Sequence, residues 1–536
     1  MIDMTLFGDE VVSANKFVRN RTNANKERAP RLTAAHITPS HNIVYATETN
    51  NFLREMLRLH TDKAVTVEQI LYHIGKQITG KTLDEYKEFE SNLNFKIPHL
   101  VSLEHDLLGS VYQFLTTKRE RLEIGSFYTS KSMVEDIVKN IEISSTDTVF
   151  DPACGSGNLL FNSKITLPSQ IFGIDNDPTA VMCCKFNYYK KFGNNAPAPQ
   201  IYCKDFIEFV HTNKRHFNYV ICNPPFGATL NISTLYNSTV KTEDSLTYFV
   251  EHGAKIANTS IFILPESVIN VKKHTPLRQW ILNYVNLEHI KSYGATFSGT
   301  MFPIVAITLS TKNNTPDFIF DNKRVLKENI KRIPFFYFRP IDKDASIILK
   351  KVFDKQSQSL KGSVFALGVV TGDNKSKLFD HKVSGSEPII TGKDITPFEI
   401  ASPQKYIIYN RDDMQQVAPE ELYRAKEKLV YKTVSRSMIF AIDYSGSLTL
   451  NSANFIIPKN LTISNKCLMA LLNSKLYNKL NEMIYGENKI SRTNLENLPI
   501  PDISIEQQKE IESYIDQKEY DKIDSIVYSI FDITEE

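Results

Sequence analysis

Four apolar, β-rich runs follow one another between Thr148 and Asn223, and each ends on a glycine or a polar side chain. The first, Thr148-Val149-Phe150, enters Asp151-Pro152-Ala153-Cys154-Gly155-Ser156-Gly157. The second, residues 170–174, ends at Asp175 and Asn176. The third, residues 200–203, ends at Lys204-Asp205-Phe206. The fourth, residues 219–222, ends at Asn223 and is stopped by Pro224-Pro225. Strands that alternate with helix-length segments and carry chemistry at their carboxyl ends predict an open, doubly wound α/β sheet that binds ligand along that edge. Further runs at residues 260–264, 287–293 and 304–310 bring the expected Rossmann-like sheet to seven strands.

The residue types at those ends suggest their work. Glycines at 155 and 157 let a ligand approach the backbone closely, with Ala153 beside them. The turn departs from G-x-G-x-x-G, since Leu160 stands three residues after Gly157, so a pyrophosphate cradle is not the best fit. Asp175 falls about twenty residues beyond the turn, where a carboxylate accepts from ribose hydroxyls in such sheets. Asp205 is placed to accept from an adenine amino group and Phe206 to pack on the ring. At Asn223-Pro224-Pro225-Phe226, the Asn223 amide oxygen and the Pro224 carbonyl are two acceptors on a rigid frame. Such a pair can draw a planar exocyclic amine toward tetrahedral geometry and restore its lone pair. Phe226 offers a face on which a base can stack.

Upstream, helical spacing recurs over residues 47–58, 67–78, 83–90 and 101–116. Ser130 is a candidate N-cap after Gly125-Ser126-Phe127-Tyr128-Thr129. A basic run (Lys16, Arg19, Arg21, Lys26, Arg28, Arg31) precedes these helices; a solvated arm and a phosphate-contacting arm both remain open. The net charge of +2 over 536 residues means that any nucleic-acid surface must be local. No apolar run reaches transmembrane length, and the six cysteines form no CxxC pair, so buried reduced thiols without metal are expected. Residues 311–344, rich in Lys, Asn and Pro, read as a connector. Beyond it the strand–helix rhythm is lost; residues 428–432 and 455–459 read as strands, and Arg424, Lys426, Lys428, Lys432 and Arg436 gather near Tyr431 either as a mix of phosphate and base contacts or, with Glu420, Glu421 and Glu427 interspersed, as a solvated helix and strand.

In order, Phe127-Tyr128-Thr129, the turn Asp151 to Gly157 and Asn223-Pro224-Pro225-Phe226 resemble the gamma class of DNA adenine-N6 methyltransferases of restriction–modification systems. The family usually has Thr-Pro where this chain has Thr129-Ser130, and Tyr where it has Phe226. The resemblance covers roughly residue 103 to the end. It implies a helical N-terminal region (1–120), a catalytic domain (121–315) and a mixed α+β target-recognition domain (345–536). It implies S-adenosylmethionine as cofactor, held by Phe127, Thr129, Asp151, Ala153, Gly155, Gly157, Asp175, Asn176, Asp205, Phe206 and Asn223. It also implies Phe297 as a second face for a flipped base, with Phe302 as its competitor. Double-stranded DNA is the implied partner, with a cognate restriction endonuclease as a further one, in a cytoplasmic setting without metal or membrane. Two rivals stand beside it: methylation of a protein glutamine or an RNA guanine, and a non-catalytic DNA-binding protein that kept the fold.

Overall fold

The computed structural model describes residues 47–98, 106–116, 131–139, 141–226, 238–294, 303–311, 314–486 and 489–534, with backbone alone at 18–19. They divide between two compact units, one drawn from Leu32–Lys331 and Phe335–Pro340, the other mainly from Ile341–Glu536.

The first unit is built on one sheet. Strands β1 (Val149–Asp151), β2 (Ile171–Asp175), β3 (Ile201–Cys203), β4 (Phe217–Cys222) and β5 (Ala257–Pro265) are joined as parallel neighbours. Strand β6 (Asn286–Gly294) and β7 (Ile304–Ser310) follow, with β7 inserted antiparallel between β5 and β6. The expected count of seven is exceeded: β8 (Asp317–Phe320) and β9 (Lys323–Leu326) extend the edge, giving the order β9-β8-β6-β7-β5-β4-β1-β2-β3. These two strands lie in the segment expected to be a connector. Phe318, Phe320 and Val325 turn inward while Ile319 is exposed, an alternation too short to stand out among Lys, Asn and Pro.

Chain order reverses at β1: the path runs outward from β1 through β2 to β3, then returns to β4 on the other side. A ligand crevice is expected outside the carboxyl ends of β1 and β4, where the connections part. Residues 151–157 and 223–226 both leave the sheet there.

Helices α1 (Thr47–Asp62), α2 (Val67–Thr79) and α3 (Leu107–Leu115) share one hydrophobic core with α4 (Lys131–Val138), the sheet and α5 (Pro178–Phe192). Helix α2 starts on a Thr66–Gln69 capping box and ends on Gly80 in the left-handed region. Its Gly75 lets α5 come close, since a Cβ there would lie 2.3 Å from the Phe186 ring. Helices α6 (Phe206–Thr212) and α7 (Ser245–Lys255) complete the surroundings of the strand ends, and Phe206 of α6 packs on Phe249 of α7 with ring centroids 4.6 Å apart.

The second unit is mixed α+β. One antiparallel sheet has the order β10-β17-β14-β15, from β10 (Val364–Ala366), β14 (Lys428–Lys432), β15 (Phe440–Asp443) and β17 (Ala453–Ile457). A second sheet joins β11 (Leu378–Phe379), β12 (Glu387–Ile390), β13 (Lys405–Ile407) and β16 (Leu448–Thr449). Helices α8 (Asn465–Asn473) and α9 (Lys475–Ile484) follow, broken at Ser474, whose hydroxyl accepts from the Tyr477 N–H at 3.3 Å.

Candidate active site

The turn after β1 is held from within the sheet. The Gly155 N–H donates to Asp175 Oδ2 at 2.8 Å, and the Asp177 N–H donates to Asp175 Oδ1 at 3.0 Å. One carboxylate at the end of β2 therefore fixes its own loop and the neighbouring turn. Gly155 sits at φ +52° and Gly157 at φ +89°, where a side chain is strained. They differ in what surrounds them. A Cβ on Gly157 would collide with Phe161 and Cys184, so that glycine serves packing; a Cβ on Gly155 would meet no protein atom within 4 Å. The open side of the turn is at Gly155.

Asp151 closes β1. It is 1% exposed; its Oδ1 accepts from the Ala153 N–H at 3.0 Å, its buried Oδ2 meets no N–H or O–H donor, and the weakly donating Cys222 thiol is the carboxyl's other neighbour. Burial pushes its carboxyl up to about 8, and the nearby Asp175 adds to that rise. Asp175 itself is pushed up to about 6, chiefly by burial, against the pull of its two backbone donors. Two acids held above their ordinary range, one with an oxygen that no N–H or O–H reaches, form a site suited to a cation or a strong donor. S-adenosylmethionine fits that demand: it brings a sulfonium, an ammonium and a ribose diol.

Asp205 stands exposed at the end of β3 and caps α6, its Oδ1 accepting from the N–H groups of Ile207 (2.7 Å) and Glu208 (3.2 Å). Asn176 is exposed beside Asp175. Phe206 is only 3% exposed, gathered with Phe150, Phe209, Tyr248 and Phe249. The ring expected to lie open beside Asp205 is thus a core residue, because a phenylalanine at the first position of a capped helix turns inward with the helix face.

At the end of β4, Asn223 is half-buried, Pro224 buried, and Pro225 and Phe226 half-buried. The Ser245 hydroxyl, at the first turn of α7, donates to the Pro225 carbonyl at 3.0 Å. Ser245 is 1% exposed. Sequence reading missed it; the signal available was its position after Asp244, which caps α7. Phe127, Thr129, Phe297, Phe302 and the basic arm at residues 16–31 lie outside the described residues.

The basic cluster of the second unit is sorted by the fold. Lys428 is fully buried and paired with Asp443 across the β14–β15 ladder, and it donates to the Tyr423 carbonyl at 2.7 Å. Tyr431 is 2% exposed and packs on Phe440. Arg424 engages Glu387 through two nitrogens at 2.6 and 2.8 Å and Glu420 at 3.2 Å. Lys428 and Tyr431 are therefore structural, and the Arg424 fork is already filled by carboxylates. Lys426 and Arg436 are exposed and Lys432 half-buried. Of the thiols, Cys203 is exposed, contrary to expectation, because the end of β3 is the sheet's margin; the other five are buried. Among the described residues no group of three or more His, Cys, Asp or Glu side chains is arranged to hold a metal, and no helix is long and apolar enough to cross a membrane.

Comparison with known proteins agrees with this layout. Residues 103–267 match the N-6 DNA methylase family, and residues 387–500 match the TaqI-like C-terminal specificity domain. The type II methyltransferase M.VspI of Vibrio sp. (strain 343) is 24% identical over 313 residues, covering 54% of this chain and 75% of that protein. The type II methyltransferase M.CvrRI of Paramecium bursaria Chlorella virus XZ-6E is 23% identical over 288 residues, covering 52% and 70%. The fold is shared with the type IIL restriction-modification enzyme MmeI solved in complex with DNA, at 13% identity and a TM-score of 0.57 over 93% of this chain and 92% of that one. These findings support a DNA methyltransferase of the restriction–modification type that uses S-adenosylmethionine, with an N-6 DNA methylase region followed by a specificity domain. A specificity domain behind the methylase does not favour the protein-glutamine, RNA-guanine or non-catalytic readings.

Proposed function

We propose that this enzyme transfers the methyl group of S-adenosylmethionine to the N6 amine of an adenine flipped out of duplex DNA, and that Asn223, Pro224, Pro225 and Phe226 carry the chemistry. One observation carries the reading: Asn223-Pro224-Pro225-Phe226 leaves β4 beside the Gly155 turn, where chain order reverses. Bound in that crevice, the cofactor supplies an electrophilic methyl on a sulfonium. Asp175 would accept from its ribose, Asp205 from its adenine amine, and Asp151 would face its positive end, with Asn176, Ala153, Gly155 and Gly157 lining the backbone approach. Phe206 would support that pocket from behind rather than by an open face.

The Asn223 amide oxygen and the Pro224 carbonyl accept the two N–H bonds of the target amine, and Ser245 steadies the peptide that follows. Phe226 stacks on the base from one side and Phe297 from the other; Phe127 and Thr129 help to hold the cofactor. Catalysis is then positioning and polarisation in a water-poor site. No side chain acts as a base before attack, because the amine proton becomes acidic only after the methyl group has arrived.

Residues 121–315 do the chemistry, 1–120 support it and 345–536 select the DNA site. Double-stranded DNA is the substrate, the setting is cytoplasmic, and a separate endonuclease cutting the same site is the natural counterpart. Sequencing DNA from cells that express the protein tests the whole reading. N6-methyladenine should appear in one sequence context and vanish with an inactive variant; methylation of protein or RNA in its place would refute it.

A further inference from the structure

Asp106 lies immediately before α3 and is 8% exposed. Its Oδ1 accepts from the Gly109 N–H at 2.8 Å and from Asn187 Nδ2 at 2.8 Å, and its Oδ2 accepts from the Ser156 hydroxyl. Asn187, on α5, also donates to the Ser156 carbonyl at 3.0 Å. Ser156 is the residue between Gly155 and Gly157, so both its side chain and its carbonyl are gripped from outside the turn. Gly109 makes room for this: a Cβ there would lie 2.2 Å from Asp106 Oδ2 and 2.6 Å from Ser156 Oγ.

A second tie runs from the same helix. The Tyr112 hydroxyl donates to Asp177 Oδ2, and Asp177 caps α5 while its N–H donates to Asp175. Helix α3 thus touches the turn after β1 and the loop after β2. A buried carboxylate is a costly way to join two helices, for which apolar packing suffices. Here one carboxylate caps α3 through Gly109 and also gives Asn187 and Ser156 a fixed acceptor, so it ties the helix to the turn as apolar packing cannot.

We propose that Asp106 is a positioning residue for the cofactor: through Ser156 and Asn187 it sets the glycine turn in its binding geometry before the ligand arrives, which makes α3 part of the cofactor site rather than a separate N-terminal module. The inference rests on the reading that the Gly155 turn and Asp175 hold S-adenosylmethionine.

The test uses the full-length protein and calorimetric titration with S-adenosylmethionine. Ser156→Ala, the mildest cut, should weaken cofactor binding about tenfold, the scale of one charge-assisted hydrogen bond. The double variant Asp106→Ala with Ser156→Ala should bind no more weakly than Asp106→Ala alone. In the ligand-free protein, amide hydrogen exchange over residues 153–158 should quicken in Ser156→Ala while exchange in β4 and β5 stays unchanged. In steady state the effect should fall mainly on the KM for S-adenosylmethionine rather than on kcat, the split expected of a residue that acts through the cofactor turn. Asp175→Ala serves as the reference. If it loses affinity while Ser156→Ala does not, the positioning role is overturned and the site reading stands. If neither loses affinity, both are overturned. A lowered melting temperature in Ser156→Ala with unchanged affinity and exchange would make the network a matter of stability alone.

Discussion

Asp151 gives the site a pH dependence that can be worked out in advance. Its carboxyl is 1% exposed, has one oxygen that no N–H or O–H reaches, and is pushed up to about 8, chiefly by burial. In the unfolded chain the same group titrates near 3.9. Between these values the folded state holds a proton that the unfolded state has lost, so stability falls as pH rises. The contribution is fully present below about 4 and is lost as pH passes through about 8. From pH 6 to pH 9 one protonation step with a folded value of about 8 removes about 2.7 kcal/mol, close to 1.4 kcal/mol for each of the two pH units below that value. Asp151→Asn keeps an acceptor for the Ala153 N–H and removes the titration. Urea unfolding of parent and variant across this range isolates the term, because every other titrating group is common to both. The parent should lose about 2.7 kcal/mol relative to the variant between pH 6 and pH 9. Saturating S-adenosylmethionine should lessen that loss, since its sulfonium favours the ionised carboxylate. Parallel stability curves, or a parent that gains on the variant with rising pH, would refute the reasoning.

Ser245→Ala removes the hydroxyl held by the Pro225 carbonyl; methyl transfer should slow by roughly three- to tenfold, about 1 kcal/mol, with cofactor affinity unchanged in calorimetry. Lys428→Ala leaves Asp443 buried without its cation and should destabilise the second unit by about 3–5 kcal/mol, read as an early unfolding transition in differential scanning calorimetry. Arg436→Ala removes an exposed cation and should weaken duplex binding with a salt slope reduced by about one, measured by fluorescence anisotropy at several salt concentrations.

The sheet was readable because its information is local. Asp151 and Asp175 close their strands, Asn223 follows directly on a third and Asp205 stands two residues past a fourth, so their place at the carboxyl edge needs only chain order. What escaped is what depends on partners distant in sequence. Asp106 and Ser156 are fifty residues apart, and an Asp before Leu107-Leu108 looks like any helix cap. Lys428 reads as a surface cation until β15 brings Asp443 beside it. Phe206 has the right neighbour in Asp205 but the wrong face, since the helix cap fixes the carboxylate outward and the ring inward. Strands β8 and β9 are only four residues each, too short for periodicity to declare them.

The central claim is that Asn223 polarises the target amine, and single-turnover methyl transfer tests it most directly. Parent, Asn223→Ala and Asn223→Asp are each mixed, loaded with S-adenosylmethionine, with a duplex that contains the recognised site, and cofactor and duplex affinities are measured alongside. Asn223→Ala should keep both affinities, because on the proposed reading Asp151, Asp175 and Asp205 would hold the cofactor and residues 345–536 would select the DNA. Its transfer step should fall by roughly 10²–10³-fold, the scale for deleting one preorganised polar group from a transition state. Asn223→Asp keeps an acceptor but sets a charge beside the sulfonium, so it should bind cofactor at least as well and transfer methyl slowly. Transfer by Asn223→Ala at a rate near that of the parent would contradict the account and leave the tetrapeptide as a rigid turn.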